Sequence, residues 1–176
     1  MADTNIIIIV VAFIVAVAAI YILYSIILFQ GGGSQKGDDL QLSTKNILDQ
    51  VEVLYDKKEY ALAQLLATKY LDRVPGHIEV RIYLAKAYYE DGKYNQAIKQ
   101  CSIILKKKSN SIETRRVLAN CYNKKHMIQK AITEYEAVFE ANKTDKTIVK
   151  TLAELYRESD QLFSAIGAYE VLSDLM

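Results

Sequence analysis

A self-similarity at 34 residues constrains this chain more than any other feature. Leu84-Ala85, Leu118-Ala119 and Leu152-Ala153 stand one period apart, and each pair is followed at the same offset by Tyr88, Tyr122 or Tyr156. Nine residues beyond each tyrosine comes an alanine and then an isoleucine: Ala97-Ile98, Ala131-Ile132 and Ala165-Ile166. The register extends backwards less perfectly, to Val51, Leu54 and Ala63. A period of this size belongs to stacked architectures, in which each repeat is one supersecondary element.

The residue types within one period say what that element is. Val80, Leu84, Ala85 and Tyr88 fall at i, i+4, i+5 and i+8, which gathers them on one face of a helix. Asp91-Gly92 then ends the helix, glycine being free to adopt positive φ. Ala97, Ile98, Cys101, Ile104 and Leu105 form the apolar stripe of a second helix. The small side chains of Ala85 and Ala97 let the two helices approach closely. One such pair cannot bury both stripes by itself, so each must stack on the next.

This pattern resembles the tetratricopeptide repeat (TPR) family. The family's small residue at the eighth position is matched by Val51, Ala85, Ala119 and Ala153, and its alanine at the twentieth by Ala63, Ala97, Ala131 and Ala165. The proline common at position 32 is matched by Pro75, with Ser109 and Lys143 in later units. Position four, often tryptophan, is Ile47, Arg81, Arg115 and Val149. Gln50 stands where the family has leucine, which makes the first unit the weakest match. The resemblance covers residues 44–176. It implies an all-α fold, an α-solenoid of about four helix-turn-helix units at 44–77, 78–111, 112–145 and 146–176.

Ahead of the repeats, residues 6–29 run without a charge (IIIIVVAFIVAVAAIYILYSIILF), behind a tail at 1–5. At about 1.5 Å per residue a helix of this length crosses a hydrocarbon core of roughly 30 Å. A cleaved signal peptide fits less well: no Lys or Arg precedes the stretch, which exceeds the usual apolar region of about 7–15 residues. The reading is a retained transmembrane helix, followed by a flexible Gly/Ser linker at 30–43. Only Lys36 and Lys45 bear on orientation, and they lean towards a cytoplasmic array. Against that, a short N-terminal tail is generally kept inside while the large domain goes outward. The expectation is a single-pass protein of a bacterial inner membrane with its array extracytoplasmic, a cytoplasmic array being the alternative.

Composition narrows the function classes. Lys and Arg total 22 against 21 Asp and Glu, so bulk charge gives no support to nucleic-acid binding. Two cysteines, Cys101 and Cys121, cannot form a disulfide framework or, with only His77 and His126, a zinc site; they are expected to be buried. The sequence has no Gly-rich phosphate loop, HExxH or GxSxG, so no enzyme, cofactor or metal is expected. His77 and His126 are expected to be solvated.

The resemblance implies a partner groove lined by positions two, five, nine, twelve and thirteen of each first helix. These are Glu79, Ile82, Lys86, Tyr89 and Glu90; then Glu113, Arg116, Asn120, Asn123 and Lys124; then Thr147, Lys150, Glu154, Arg157 and Glu158. Arg116 and Asn120, one turn apart, resemble part of a carboxylate clamp, but Thr151 stands where its next asparagine belongs. In the last unit Ile166, Tyr169 and Leu172 form an apolar face that a following helix would cover, in a partner or in a longer array. The function expected is a membrane-anchored adaptor or scaffold with protein partners, a homo-oligomer being left open. Flagellar-motor periphery or a secretion complex is the specific version, and a cytoplasm-facing peptide-tail receptor or co-chaperone is the alternative.

Overall fold

The structure, a computed structural model, describes residues 36–176, with side chains from 45 onward. The proposed span at 6–29 lies outside the described residues; within them no helix is long and apolar enough to cross a membrane. The chain divides into two units, Met1–Asn46 and Ile47–Met176, and the packing below concerns the second.

Among the described residues there are eight helices: α1 (Lys36–Asp56), α2 (Tyr60–Arg73), α3 (Ile78–Glu90), α4 (Tyr94–Lys107), α5 (Ile112–Lys124), α6 (Ile128–Ala141), α7 (Lys146–Glu158) and α8 (Leu162–Asp174). The second helices of the pairs begin at Tyr60, Tyr94, Ile128 and Leu162, and three first helices at Ile78, Ile112 and Lys146, all in steps of 34. The linker read at 30–43 needs correction, because α1 already starts at Lys36. From Asp38 to Asp56 the sequence has no glycine or proline to stop a helix propagating backwards from the first repeat.

Turns and caps follow the same register. Lys58, Gly92, His126 and Asp160 occupy the left-handed region at φ 61°, 72°, 54° and 58°, each one period from the last. The turn demands positive φ in every unit, and only the second meets the demand with glycine. Between units, the residues preceding α3, α5 and α7 are His77, Ser111 and Asp145. His77 Nδ1 accepts from the Val80 N–H (3.2 Å), and Asp145 Oδ1 accepts from those of Thr147 (3.1 Å) and Ile148 (3.3 Å). His77 is therefore not a solvated residue as expected. It sits where a helix start requires an acceptor, edge-on to Tyr70 at 5.6 Å, with a largely covered side chain. His126 is exposed at its turn.

Each core cluster spans consecutive helices. Val51, Ala67, Tyr70, Leu71, Val80 and Leu84 join α1, α2 and α3. Ala85, Ala97, Cys101, Val117, Leu118 and Cys121 join α3, α4 and α5. Ala119, Ala131, Ile132, Tyr135, Val138, Ile148, Leu152 and Leu155 join α5, α6 and α7. Ala97, Ala119, Ala131 and Ala153 are wholly buried, which is why the helices approach closely there. Both cysteines are free and buried. Burial pushes the Cys101 thiol up strongly and that of Cys121 to about 12, so neither is nucleophilic near neutral pH.

Where the family carries tryptophan, two arginines bridge instead. Arg81 donates to Gln100 Oε1 and to the Pro75 carbonyl, both at 2.7 Å. One period on, Arg115 donates to Glu134 Oε2 (2.7 Å) and the Ser109 carbonyl (2.9 Å). Each ties a first helix to its second helix and to the preceding loop.

Candidate partner site on the concave face

The first helices α1, α3 and α5 contribute side chains to one open cavity of about 460 Å³. Its lining is Tyr55 from α1; Lys86, Tyr89 and Glu90 from α3; and Ile112, Glu113, Arg116, Val117 and Asn120 from α5. Six of the groove positions inferred from the sequence thus come together: Lys86, Tyr89, Glu90, Glu113, Arg116 and Asn120.

The charges in this cavity are largely partnered within the array. Lys86 Nζ pairs with Glu113 and lies 5.0 Å from the centroid of the Tyr83 ring. Arg116 donates to Asp145 Oδ2 at 2.7 Å, binding the third unit to the cap of α7. Burial raises the Asp145 carboxyl, but the Arg116 bond and the Ile148 and Thr147 N–H groups outweigh it and hold the pKa below its ordinary value. The Tyr135 hydroxyl donates to Asn120 Oδ1. Tyr55 is pushed up to about 12, first by burial and then by the charge of Glu90. Both Tyr55 and Tyr89 remain neutral phenols at neutral pH, and burial is the main cause in each. Tyr89 is held against Tyr94 with ring centroids 5.8 Å apart.

The remaining inferred positions do not line the cavity. Ile82 is buried in the packing, 8% exposed, so it is not presented to a partner. Its apolar side chain gains more from the helix interface than from water. Glu79 is exposed beside His77, with 3.6 Å between Oε2 and Nδ1. Asn123 is half-buried and Lys124 exposed near the end of α5. Thr147, Lys150, Glu154, Arg157 and Glu158 are exposed along α7. Sequence reasoning missed Tyr55, although it stands 34 residues before Tyr89; the weak first unit hid the register. It also missed Gln64, whose Nε2 donates to the Ala87 carbonyl and to Asp91 Oδ2, both at 3.0 Å. Lys93 Nζ completes that link between the first two units by donating to Gln64 Oε1 at 2.9 Å.

Such a site offers two phenol rings, fixed acids and bases, and an open side. It presents no nucleophile beside a base, and among the described residues no group of ligands could hold a metal. Its chemistry is that of side-chain recognition.

The comparisons with known proteins agree on architecture. The family model for anaphase-promoting complex, cyclosome, subunit 3, of the TPR type, matches residues 56–138. No curated protein matches the sequence. Among solved structures, a MamA RS-1 ArsTM double mutant superposes with TM-score 0.70 at 13% identity, over 74% of each chain. MamA 41-end from Desulfovibrio magneticus RS-1 gives 0.69 at 13% identity, again over 74% of each. A further crystal structure of MamA gives 0.66 at 22% identity, over 71% of this chain and 73% of that one. At these identities the likeness is one of fold: the described array is an all-α solenoid that resembles TPR structures.

Proposed function

We propose that this chain is a non-enzymatic adaptor that holds a protein segment against its concave face while its apolar stretch at 6–29 keeps it at a membrane. The cavity built by α1, α3 and α5 carries this reading. Tyr55 and Tyr89 supply rigid aromatic surface, and Glu90 and the Lys86–Glu113 pair supply polar discrimination. Anchoring raises the array's effective concentration near membrane partners. We place it at a bacterial inner membrane with the array extracytoplasmic, in an envelope assembly such as the flagellar-motor periphery or a secretion complex.

The test is co-purification after gentle solubilisation. Wild type should bring down a reproducible partner set that Glu90→Lys and Tyr89→Ser lose while remaining folded; an identical set from all three defeats the concave reading. Deleting residues 6–29 should release the chain from the membrane fraction. Topology is read by labelling Ser34→Cys with an impermeant maleimide, because Cys101 and Cys121 are buried and do not compete.

A second reading, a cytoplasm-facing receptor for peptide tails, draws on the spacing of Arg116 and Asn120. The Asp145 carboxylate already holds one edge of Arg116, so an incoming C-terminal carboxylate must use the other edge or displace it. Protection of Ser34→Cys until lysis, with peptide binding lost on amidation of the peptide C-terminus, would favour this reading.

A further inference from the structure

The first helices carry a short motif twice. Tyr55-Asp56 ends α1 and Tyr89-Glu90 ends α3, one period apart, whereas α5 and α7 have Asn123-Lys124 and Arg157-Glu158 at the same places. A phenol next to a carboxylate is thus confined to the first two units. Tyr55, Tyr89 and Glu90 share the concave cavity, and the Glu90 carboxylate accepts a hydrogen bond from Tyr55. Glu52, one turn before Asp56, accepts from the Tyr83 hydroxyl at 2.6 Å.

Charge is unevenly compensated here. Lys86 is matched by Glu113 and Arg116 by Asp145. Glu52, Asp56 and Glu90 are exposed and pair with no Lys or Arg among the described residues. Carboxylates beside phenol rings attract cations, and the array already holds one of its own in this way. Lys86 Nζ lies 5.0 Å from the Tyr83 ring centroid and against Glu113. The sequence ahead of α1 has no second such side chain to offer, because residues 1–35 contain no Lys or Arg.

We infer that the cavity seats an arginine or lysine side chain from a basic segment of a partner protein, with Glu90 as counter-ion and Tyr55 and Tyr89 as walls. This rests on the concave reading above and narrows its partner to one chemical class. Arginine fits best, because its planar guanidinium stacks on a phenol ring while its fork meets a carboxylate. The bond from Tyr55 occupies one acceptor position of Glu90 and leaves others open. Glu52 and Asp56 supply counter-charge along α1 for further bases on the same segment. An acidic segment would meet Glu90 and would have to displace Glu113 or Asp145 to reach a cation.

The probe is a library of random peptides displayed on phage and panned on the full chain after gentle solubilisation. Enrichment in arginine and lysine is expected, and the strongest peptide, made with a fluorescein label, should bind saturably by anisotropy. Glu90→Gln should weaken it roughly tenfold, as should replacing its arginines by neutral citrulline. Asp72→Asn, the same loss of charge at an exposed position of α2, should leave binding unchanged. Glu90 and Asp72 are both exposed, so the variants should keep the wild-type circular dichroism. Equal binding to wild type and Glu90→Gln overturns the proposal. Selected peptides that lack bases but lose binding in Tyr89→Ser overturn it too, and leave the concave site standing. Failure to select any peptide that depends on Tyr89 overturns both readings. Sedimentation as a dimer that Glu90→Lys dissociates would also overturn the proposal, by giving the cavity to a basic loop of a second copy, such as Lys106-Lys107-Lys108.

Discussion

Ile132 and Tyr135 of α6 are 1% and 3% exposed, whereas their counterparts in α8, Ile166 and Tyr169, are 55% and 41% exposed. The two helices share residue types, register and length of apolar stripe, and they differ in the neighbour each one has on its C-terminal side. Burial in this array is thus set by the neighbour, not by the helix: α6 lies under α7, and among the described residues no helix lies over α8. In a stack where each unit contacts only those beside it, identical residues then contribute very differently to stability.

The largest consequence is on unfolding. Ile132→Ala should cost about 2–5 kcal/mol, because a cavity opens in the cluster of α5, α6 and α7. Ile166→Ala should change stability by no more than about 0.5 kcal/mol. Urea denaturation followed by circular dichroism checks both, and equal costs would break the comparison.

The next effect concerns how α7 is held over α6. Asp145→Ala removes the cap of α7 and the partner of Arg116, and should cost about 1–2 kcal/mol in the same assay. The wild-type contribution should depend on pH. The folded pKa of Asp145 lies below the unfolded value of about 4, so its stabilisation is complete above that value and is lost as pH falls through the folded pKa. Asp145→Ala should flatten that part of the acid profile; an unchanged profile would show that the Arg116 contact contributes nothing.

The smallest effect lies in the turns. His126→Gly should stabilise the third unit by up to about 1 kcal/mol, since a side chain at φ 54° is relieved. Gly92→Ala should destabilise by a similar amount of about 1 kcal/mol, at φ 72°. Thermal melts of the two variants should move in opposite directions.

The contrast also explains how far the sequence alone could be read. Periodicity reports which face of a helix is apolar, so the pairs from α3 to α8, the small-residue contacts at Ala85 and Ala97 and the burial of both cysteines were legible. Positive φ was legible only at Gly92, because Lys58, His126 and Asp160 carry no compositional mark of the same backbone. His77 was misjudged because its place at a cap outweighs its polarity. Tyr55 was lost to the poor register of the first unit. Arg81 and Arg115 read as departures from the family pattern, and their bonds depend on Gln100 and Glu134 in another helix, which spacing within one helix does not reveal.

The concave partner site is tested most directly by placing a photo-crosslinking phenylalanine analogue at Tyr89, in the cavity, and separately at Ser102, exposed on α4, in cells that make the full chain. A discrete adduct from position 89 that disappears with Glu90→Lys, and none from position 102, is the predicted result. Equal adducts from both positions, or an adduct only from 102, would contradict it.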